Sequence, residues 1–255
     1  SIRCYLSPKI SDVILMGSER IHLFDTPLLV SRNMGLAVDQ RAAKRVMDIL
    51  ISGIGIIITS PIMLIIAIAV KAYDRGPVFY FQDRLTLGGK PFKICKFRSM
   101  CVDSEKNGAR LASKHDSRIT PVGHVLRNLH LDELPQLFNV FKGDMSLVGP
   151  RPERESIMLE YEKELPEFYY RLKVKAGLTG YAQVYGKYNT TPYDKLKLDL
   201  FYIENYSFLL DIKLIFMTVK IFFQKEVSEG VDDRQVNALK DSGKNAGVSE
   251  NKTEE

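Results

Sequence analysis

Cysteine is scarce in this 255-residue chain. The three present, Cys4, Cys95 and Cys101, show no metal-ligand spacing and cannot all pair. That excludes a disulfide framework and a thiolate zinc site, and it fits a reducing compartment. Signatures of nucleic-acid binding are missing as well. The net charge is +5, yet no basic stripe interleaves with aromatics and no nucleic-acid motif occurs, so nucleic acid is not an expected partner. No internal repeat is found. The most informative absence is local: residues 49–70, 22 in a row, carry no charged side chain. About 20 apolar residues suffice to cross a hydrocarbon core.

Ser60-Pro61 interrupts that run almost at its middle. Proline removes a backbone donor and crowds the carbonyl four residues back, which disfavours one straight helix. Basic residues lie on both sides: Arg41, Lys44 and Arg45 before the run, Lys71 and Arg75 after it. Basic flanks prefer the cytoplasmic face. Two arrangements fit better than a buried core helix of a soluble domain, which rarely runs so long without charge. In one, a helix–break–helix hairpin enters and leaves a single leaflet by the same face, which the flanks favour. In the other, an ordinary proline-kinked helix spans the bilayer. The basic excess elsewhere suits an anionic membrane surface or a phosphate-rich partner.

Around this segment the chain divides into four parts. Residues 1–40 read as the tail of a preceding α/β domain, with short strands at 21–24 and 28–30; with Ser1 rather than Met in first place, the sequence reads as a piece of a longer protein. Residues 41–75 form the membrane hairpin. Residues 76–227 read as the main domain. Within it, strand patterns at 78–82 and 92–100 flank a turn at 87–90. A polar loop or short helix follows over 102–117. Helical spacing covers 121–141, a charged helix 153–173 and a further helix 192–206. A loop at 176–180 leads to a short strand over 181–184. Residues 209–223 are rich in Leu, Ile, Phe and Met but carry Asp211, Lys213 and Lys220. They fit a helix lying in the membrane interface, and equally a helix packed in the domain core. Residues 228–255 are polar and poor in aromatics, as in a disordered tail. The predicted fold class is α+β: helices and a short β-hairpin on a re-entrant membrane segment, with an interfacial amphipathic helix.

Two adjacent carboxylates, Asp132 and Glu133, stand just ahead of a helix start with Pro135 in its first turn. Capping of that helix is one reading, since acids favour the positive end of the dipole. The sharper reading gives the pair two roles, one carboxylate attacking phosphorus and the other holding a divalent metal. Neighbours on a helix point about 100° apart, so the two can face different groups. Attack on a phosphate needs positive charge nearby. Lys96, Arg98, Arg127 and Arg151 are candidates, with Arg151 held between two prolines. Each alone also reads as a solvated surface charge.

Seven segments in order then resemble one family. They are KRVMD at 44–48, the Ser60-Pro61 break, GPVF at 76–79, KFRSM at 96–100, LDELPQ at 131–136, GDMSLVGPRP at 143–152 and KAGLTG at 175–180. Together they resemble the bacterial sugar transferases, the monotopic phosphoglycosyl transferases that act on polyprenyl phosphate. The resemblance implies transfer of a sugar 1-phosphate from a UDP-sugar to undecaprenyl phosphate, with release of UMP. It also implies a covalent phosphosugar–aspartyl intermediate and a site at the cytoplasmic face of the bacterial inner membrane, inserted in one leaflet.

On that basis Asp132 and Glu133 are the catalytic pair. Asp132 is the nucleophile and Glu133 the ligand of a Mg²⁺ cofactor. Lys96, Arg127 and Arg151 contact phosphate, with Arg98 a further candidate. The loop from Lys175 to Gln183 touches nucleotide and sugar, with Lys175, Thr179 and Gln183 its candidate contacts. Ser60 and Pro61 make the membrane break. Asp144 is a weaker candidate, for which packing or capping is the other reading. Ala176, Tyr181 and His124 depart from the residues usual in relatives, which bears on nucleotide contacts rather than on reaction class. The resemblance to the larger members, which serve exopolysaccharide or capsule synthesis, points to UDP-glucose or UDP-galactose and is compatible with a homo-oligomer. A non-catalytic adaptor at the membrane surface is the competing reading. A UDP-releasing glycosyltransferase or an aspartyl phosphatase is a third.

Overall fold

A computed structural model describes residues 8–16, 18–23, 26–31, 36–101, 116–186 and 190–222. The polar segment expected over 102–117 falls largely outside them, and the expected tail at 228–255 wholly so. A short helix, α1 (Ile10–Met16), is followed by strands β1 (Ser18–Leu23) and β2 (Thr26–Ser31), which pair antiparallel with Ser18 opposite Ser31. Both strands expected in this region are present.

Next comes α2 (Val38–Asp74), 37 residues long. Among the described residues it is the helix long and apolar enough to cross a membrane. Helical structure continues through Pro61, so the interruption expected at Ser60-Pro61 is not a non-helical stretch. The reason is local. Proline cannot donate to the carbonyl of Ile57, and the Ser60 hydroxyl donates to that carbonyl instead, at 2.8 Å. Thr59 Oγ1 donates to the Gly55 carbonyl at 2.7 Å in the same turn.

The expected hairpin follows as β3 (Phe79–Leu85) and β4 (Pro91–Phe97), antiparallel, with Tyr80 opposite Lys96. A 3₁₀ turn at Leu87–Gly89 joins them, and Gly88 and Gly89 supply its positive φ values of 68° and 74°. The helical stretch expected over 121–141 is divided. α3 (Pro121–Asn128) is capped by Thr120, whose Oγ1 accepts from the Gly123 N–H at 2.9 Å. A 3₁₀ turn at Leu131–Glu133 separates it from α4 (Gln136–Lys142). The divider is His130, held in the left-handed region at φ 52°. Pro135 then sets the start of the second helix.

β5 (Ser146–Val148) and α5 (Glu155–Glu164) come next. Pro166 ends the charged helix expected over 153–173 and turns its second half into a 3₁₀ segment, Pro166–Lys173. β6 (Gly177–Thr179) pairs parallel with β5. The strand expected at 181–184 is instead helix α6 (Tyr181–Tyr185); the extended residues are Gly177–Thr179, because these are the ones that reach β5. α7 (Pro192–Glu204) and α8 (Phe208–Phe222) complete the described chain.

The main core gathers Val140, Met145, Val148, Phe168, Leu196, Leu200 and Leu214. Ile10 and Val13 of α1 are buried in that same core, so α1 packs with the main body. A smaller core joins Met63, Ile66 and Val70 of α2 to Phe97 and Leu126. α8 answers the two readings of residues 209–223 with two faces. Asp211 and Leu214 are fully buried, while Phe208, Leu209, Phe216 and Val219 are exposed.

Both ends of α2 are tied to the same body. At its start, Asp48 accepts from Ser146 Oγ and the Leu147 N–H, each at 3.0 Å, and Arg45 donates to the carbonyls of Val140 and Phe141 at 2.8 and 2.7 Å. At its end, Asp74 receives both guanidinium nitrogens of Arg98. The face between them stays apolar and exposed, including Ile54, Ile57, Ile58, Leu64, Ile65 and Ile68.

The two glycine-bearing loops press backbone against backbone. A Cβ at Gly177 would lie 2.1 Å from the Gly149 nitrogen, and one at Gly180 would lie 2.1 Å from the Gly149 carbonyl oxygen. Contacts that close require backbone movement. Gly177→Ala is therefore expected to destabilise the protein by about 1–3 kcal/mol, the usual range for forced overpacking, and thermal unfolding measures the loss. An unchanged melting temperature would contradict this reading of the loop.

Candidate active site

The site is assembled from three segments that the fold brings together. β4 supplies Lys96, the 3₁₀ turn before α4 supplies Asp132 and Glu133, and the loop after β5 supplies Arg151. Lys96 Nζ donates to Glu133 Oε1 at 2.6 Å, and Arg151 Nη2 donates to the same oxygen at 2.8 Å. Both cations bind Oε1, so Oε2 stands outside the two salt bridges. Burial alone would push the Glu133 carboxyl up, but Arg151 and Lys96 outweigh it and hold the group well below the usual carboxylate range. Its neighbour behaves in the opposite way. Asp132 is 9% exposed, and burial raises its carboxyl above the ordinary value, with Lys96 opposing and the Glu133 charge adding to the rise. Two adjacent carboxylates thus have unlike proton affinities, an arrangement that separates roles.

Asn139 sets the distance between the two halves. Its Oδ1 accepts from the Cys95 N–H at 2.9 Å, and its Nδ2 donates to the Lys93 carbonyl at 2.8 Å. One side chain on α4 therefore pairs with the backbone of β4 next to Lys96. The C-terminus of α4 is neutralised by cations. Arg45 covers two of its carbonyls, and Lys175 Nζ donates to the Gly143 carbonyl at 2.8 Å.

The residues anticipated from sequence thus fall in different places. Lys96, Glu133 and Arg151 form one cluster, with Asp132 beside it. Arg127 acts on Asp132 through its charge. Arg98 is committed to Asp74, and Lys175 to the Gly143 carbonyl. Thr179 Oγ1 shares a 2.6 Å hydrogen bond with Thr218 Oγ1. The side-chain amide of Gln183 is buried with no hydrogen-bond partner among the described residues. Asp144 packs near Asn139 and Lys142, each at 3.4 Å. Sequence reasoning missed Asn139, Glu153, Arg171 and Asp199. For Asn139, Arg171 and Asp199 the signal available was a polar residue at a helical position between apolar neighbours; Glu153, between Pro152 and Arg154, carries no such signal. Sequence reasoning missed Gln136 too, whose Nε2 is buried without a partner among the described residues, one turn after Glu133.

Comparison with known proteins gives a consistent picture. A family model described as bacterial sugar transferase matches residues 39–225. Over 180 residues the chain is 46% identical to a UDP-N-acetylgalactosamine-undecaprenyl-phosphate N-acetylgalactosaminephosphotransferase of Aeromonas hydrophila, covering 69% of this chain and 43% of that protein. Over 208 residues it is 43% identical to a UDP-glucose:undecaprenyl-phosphate glucose-1-phosphate transferase of Klebsiella pneumoniae, covering 80% and 43%. A protein of the latter description from Caulobacter vibrioides is 37% identical over 229 residues, covering 85% and 84%. The chain thus spans less than half the length of the first two relatives and most of the third.

Proposed function

The chain belongs to the bacterial sugar transferase family, and from that premise we propose that it transfers a sugar 1-phosphate from a UDP-sugar to undecaprenyl phosphate and releases UMP. This is the opening step of a surface glycan such as exopolysaccharide or capsule. In the first half-reaction a carboxylate oxygen of Asp132 attacks the phosphorus attached to the sugar. The bond from that phosphorus to the bridging oxygen breaks, and its electron pair leaves with UMP. In the second, a phosphate oxygen of the lipid attacks the same phosphorus. The bond to Asp132 then breaks, and the carboxylate is restored. Two mutually repelling anions are in this way met in turn.

Lys96 and Arg151 place positive charge beside Asp132 and lower the cost of bringing a diphosphate to it. Glu133 is the residue that would hold Mg²⁺. Among the described residues no group of three or more acidic, His or Cys side chains gathers. One or two carboxylates suffice where substrate phosphates complete the shell, and Glu133 is ionised with Oε2 outside both salt bridges. When bound, Mg²⁺ supplies neutralisation of the donor's phosphate oxygens.

The observation that carries the reading is the setting of the carboxylate pair. The turn at Leu131–Glu133 lies between α3 and α4, whose Val125, Leu129, Phe138 and Phe141 are exposed. α4 packs on α2, with Leu137 and Phe141 against Gly55 and Gly53. Apolar surface and acidic nucleophile are thus side by side, which supports a site at lipid head-group height. A spanning helix must carry its ends to opposite sides of a core about 30 Å thick, whereas both ends of α2 hold the same body. That supports insertion into one leaflet, and the basic residues flanking the apolar run favour entry from the cytoplasmic face. The sugar is glucose or galactose, and the names of the relatives add N-acetylgalactosamine.

The test is UMP release by the full chain in phospholipid vesicles, with and without undecaprenyl phosphate, across UDP-glucose, UDP-galactose and UDP-N-acetylgalactosamine. Lipid-dependent UMP release with one donor preferred is expected. Release of UDP, or no turnover with any UDP-sugar, would overturn the proposal.

A further inference from the structure

Arg151 sits in a segment that has few ways to be held. Pro150 and Pro152 have no N–H, so their backbone can be gripped through carbonyls alone. Each carbonyl from 150 to 153 has a donor: the Gly177 N–H for Pro150 at 2.9 Å, Arg171 Nη2 for Arg151 at 3.0 Å, Arg84 Nη1 for Pro152 at 3.1 Å, and the Leu85 N–H for Glu153 at 3.0 Å. The two central donors are side chains, and both belong to one ionic cluster. Arg171 is 2% exposed and lies 2.8 Å from Asp199. Arg171 and Arg84 stand 3.6 and 3.8 Å from the Glu153 carboxylate, which also receives Lys195.

A cluster of this kind is costly to bury, and removing one partner alone costs more still. Stability by itself would be served as well by apolar residues. Its geometry does something apolar residues cannot do: it delivers a charged donor to the carbonyl of the one residue between the prolines. Resting on the proposed function, we infer that Arg171, locked by Asp199, is a positioning residue that fixes the Arg151 backbone so that the Arg151 guanidinium reaches Glu133. The line runs from Asp199 on α7 through Arg171 in the 3₁₀ segment to Arg151 and ends on Glu133 Oε1. Arginine is required because its fork reaches Asp199 and the carbonyl together; lysine offers one point of charge.

Arg171→Lys keeps the buried charge opposite Asp199 and gives up the second contact. In the full chain in vesicles, turnover is expected to fall about 10–100-fold, as for residues that orient a site residue, with little change in melting temperature. In an Arg151→Gln background the same substitution should cost nothing further. An equal loss in both backgrounds, or no loss in either, overturns the inference while leaving the proposed reaction standing. A second measurement does not depend on turnover. With guanidinium-labelled arginine and Arg151 assigned through Arg151→Gln, NMR at constant neutral pH should show the Arg151 side-chain signal, set in the parent by its salt bridge to Glu133, moving towards that of a solvated arginine in Arg171→Lys. An unmoved signal would overturn the inference even in a chain found inactive towards UDP-sugars. If Arg171→Lys unfolds, the pair Arg171→Gln with Asp199→Asn removes both charges and is read in the same two ways.

Discussion

Asp132→Asn is expected to abolish both turnover and the trapping of labelled sugar phosphate on the protein, a loss of at least about a thousandfold, as for other covalent nucleophiles. The side chain keeps its shape and loses its charge, so the effect isolates nucleophilicity from packing. Ionisation sets a second expectation. Asp132 attacks as the carboxylate, and burial raises its affinity for a proton. The attacking fraction therefore falls as pH drops through a raised pKa, and the acid limb of kcat/KM lies above the position an exposed aspartate would give. Lys96 opposes the rise, so Lys96→Gln should move that limb to still higher pH. Glu133 follows the other sign. Its carboxyl is held low by Arg151 and Lys96 against its burial, so it stays ionised across the working range. Glu133→Gln is accordingly expected to weaken the dependence on Mg²⁺ and, by removing a charge that adds to the Asp132 rise, to move the limb to lower pH. Trapping that survives in Asp132→Asn would remove the nucleophile assignment.

Much of this site was readable in the sequence, for a physical reason. A carboxylate pair beside a helix start, an arginine between prolines and an uncharged run with a proline in it are each encoded by near neighbours. The β3–β4 hairpin and α7 were legible in the same way, through alternation and a helical pattern ending in caps. What escaped depends on contacts distant in sequence. Gly177 extends because it must approach Gly149, and no local preference marks residues 177–179 rather than 181–184 as the strand. His130 breaks a continuous helical pattern by adopting φ 52°, a conformation its side chain does not announce. Pro61 reads in sequence either as a break between two helices or as a kink in one. Its effect is absorbed by the residue before it, since the Ser60 hydroxyl reaches the very carbonyl that proline leaves bare. Arg98 reads as a phosphate ligand by its charge and Lys175 as a nucleotide or sugar contact through the resemblance, while in the structure each donates to a partner more than 20 residues away in sequence, Asp74 and Gly143.

Lys44→Met is expected to be the most destabilising single change at the root of the apolar arm. Lys44 Nζ meets Asp211 Oδ2 at 2.5 Å and donates to the Tyr202 hydroxyl at 3.2 Å, and that hydroxyl donates to Asp211 Oδ1 at 2.8 Å. Asp211 is fully buried, and burial pushes its carboxyl up, with Lys44 opposing. Removing Lys44 leaves that charge without its cation, a loss of about 3–5 kcal/mol. At about 2–4 °C per kcal/mol for a chain of this size, melting in nanodiscs should drop by about 6–20 °C. Lys44→Met combined with Asp211→Leu removes both charges and should recover most of it. Similar losses in the single and double variants would show that shape, not charge pairing, matters here. The consequence for chemistry separates the two half-reactions. Formation of the phosphosugar on Asp132 needs a soluble donor, whereas its discharge needs a lipid phosphate brought to the same carboxylate by the height of the arm. Loosening the root of α2 should therefore slow discharge to undecaprenyl phosphate more than it slows UMP release in the first step, because the charge pair fixes where the arm leaves the body that carries Asp132.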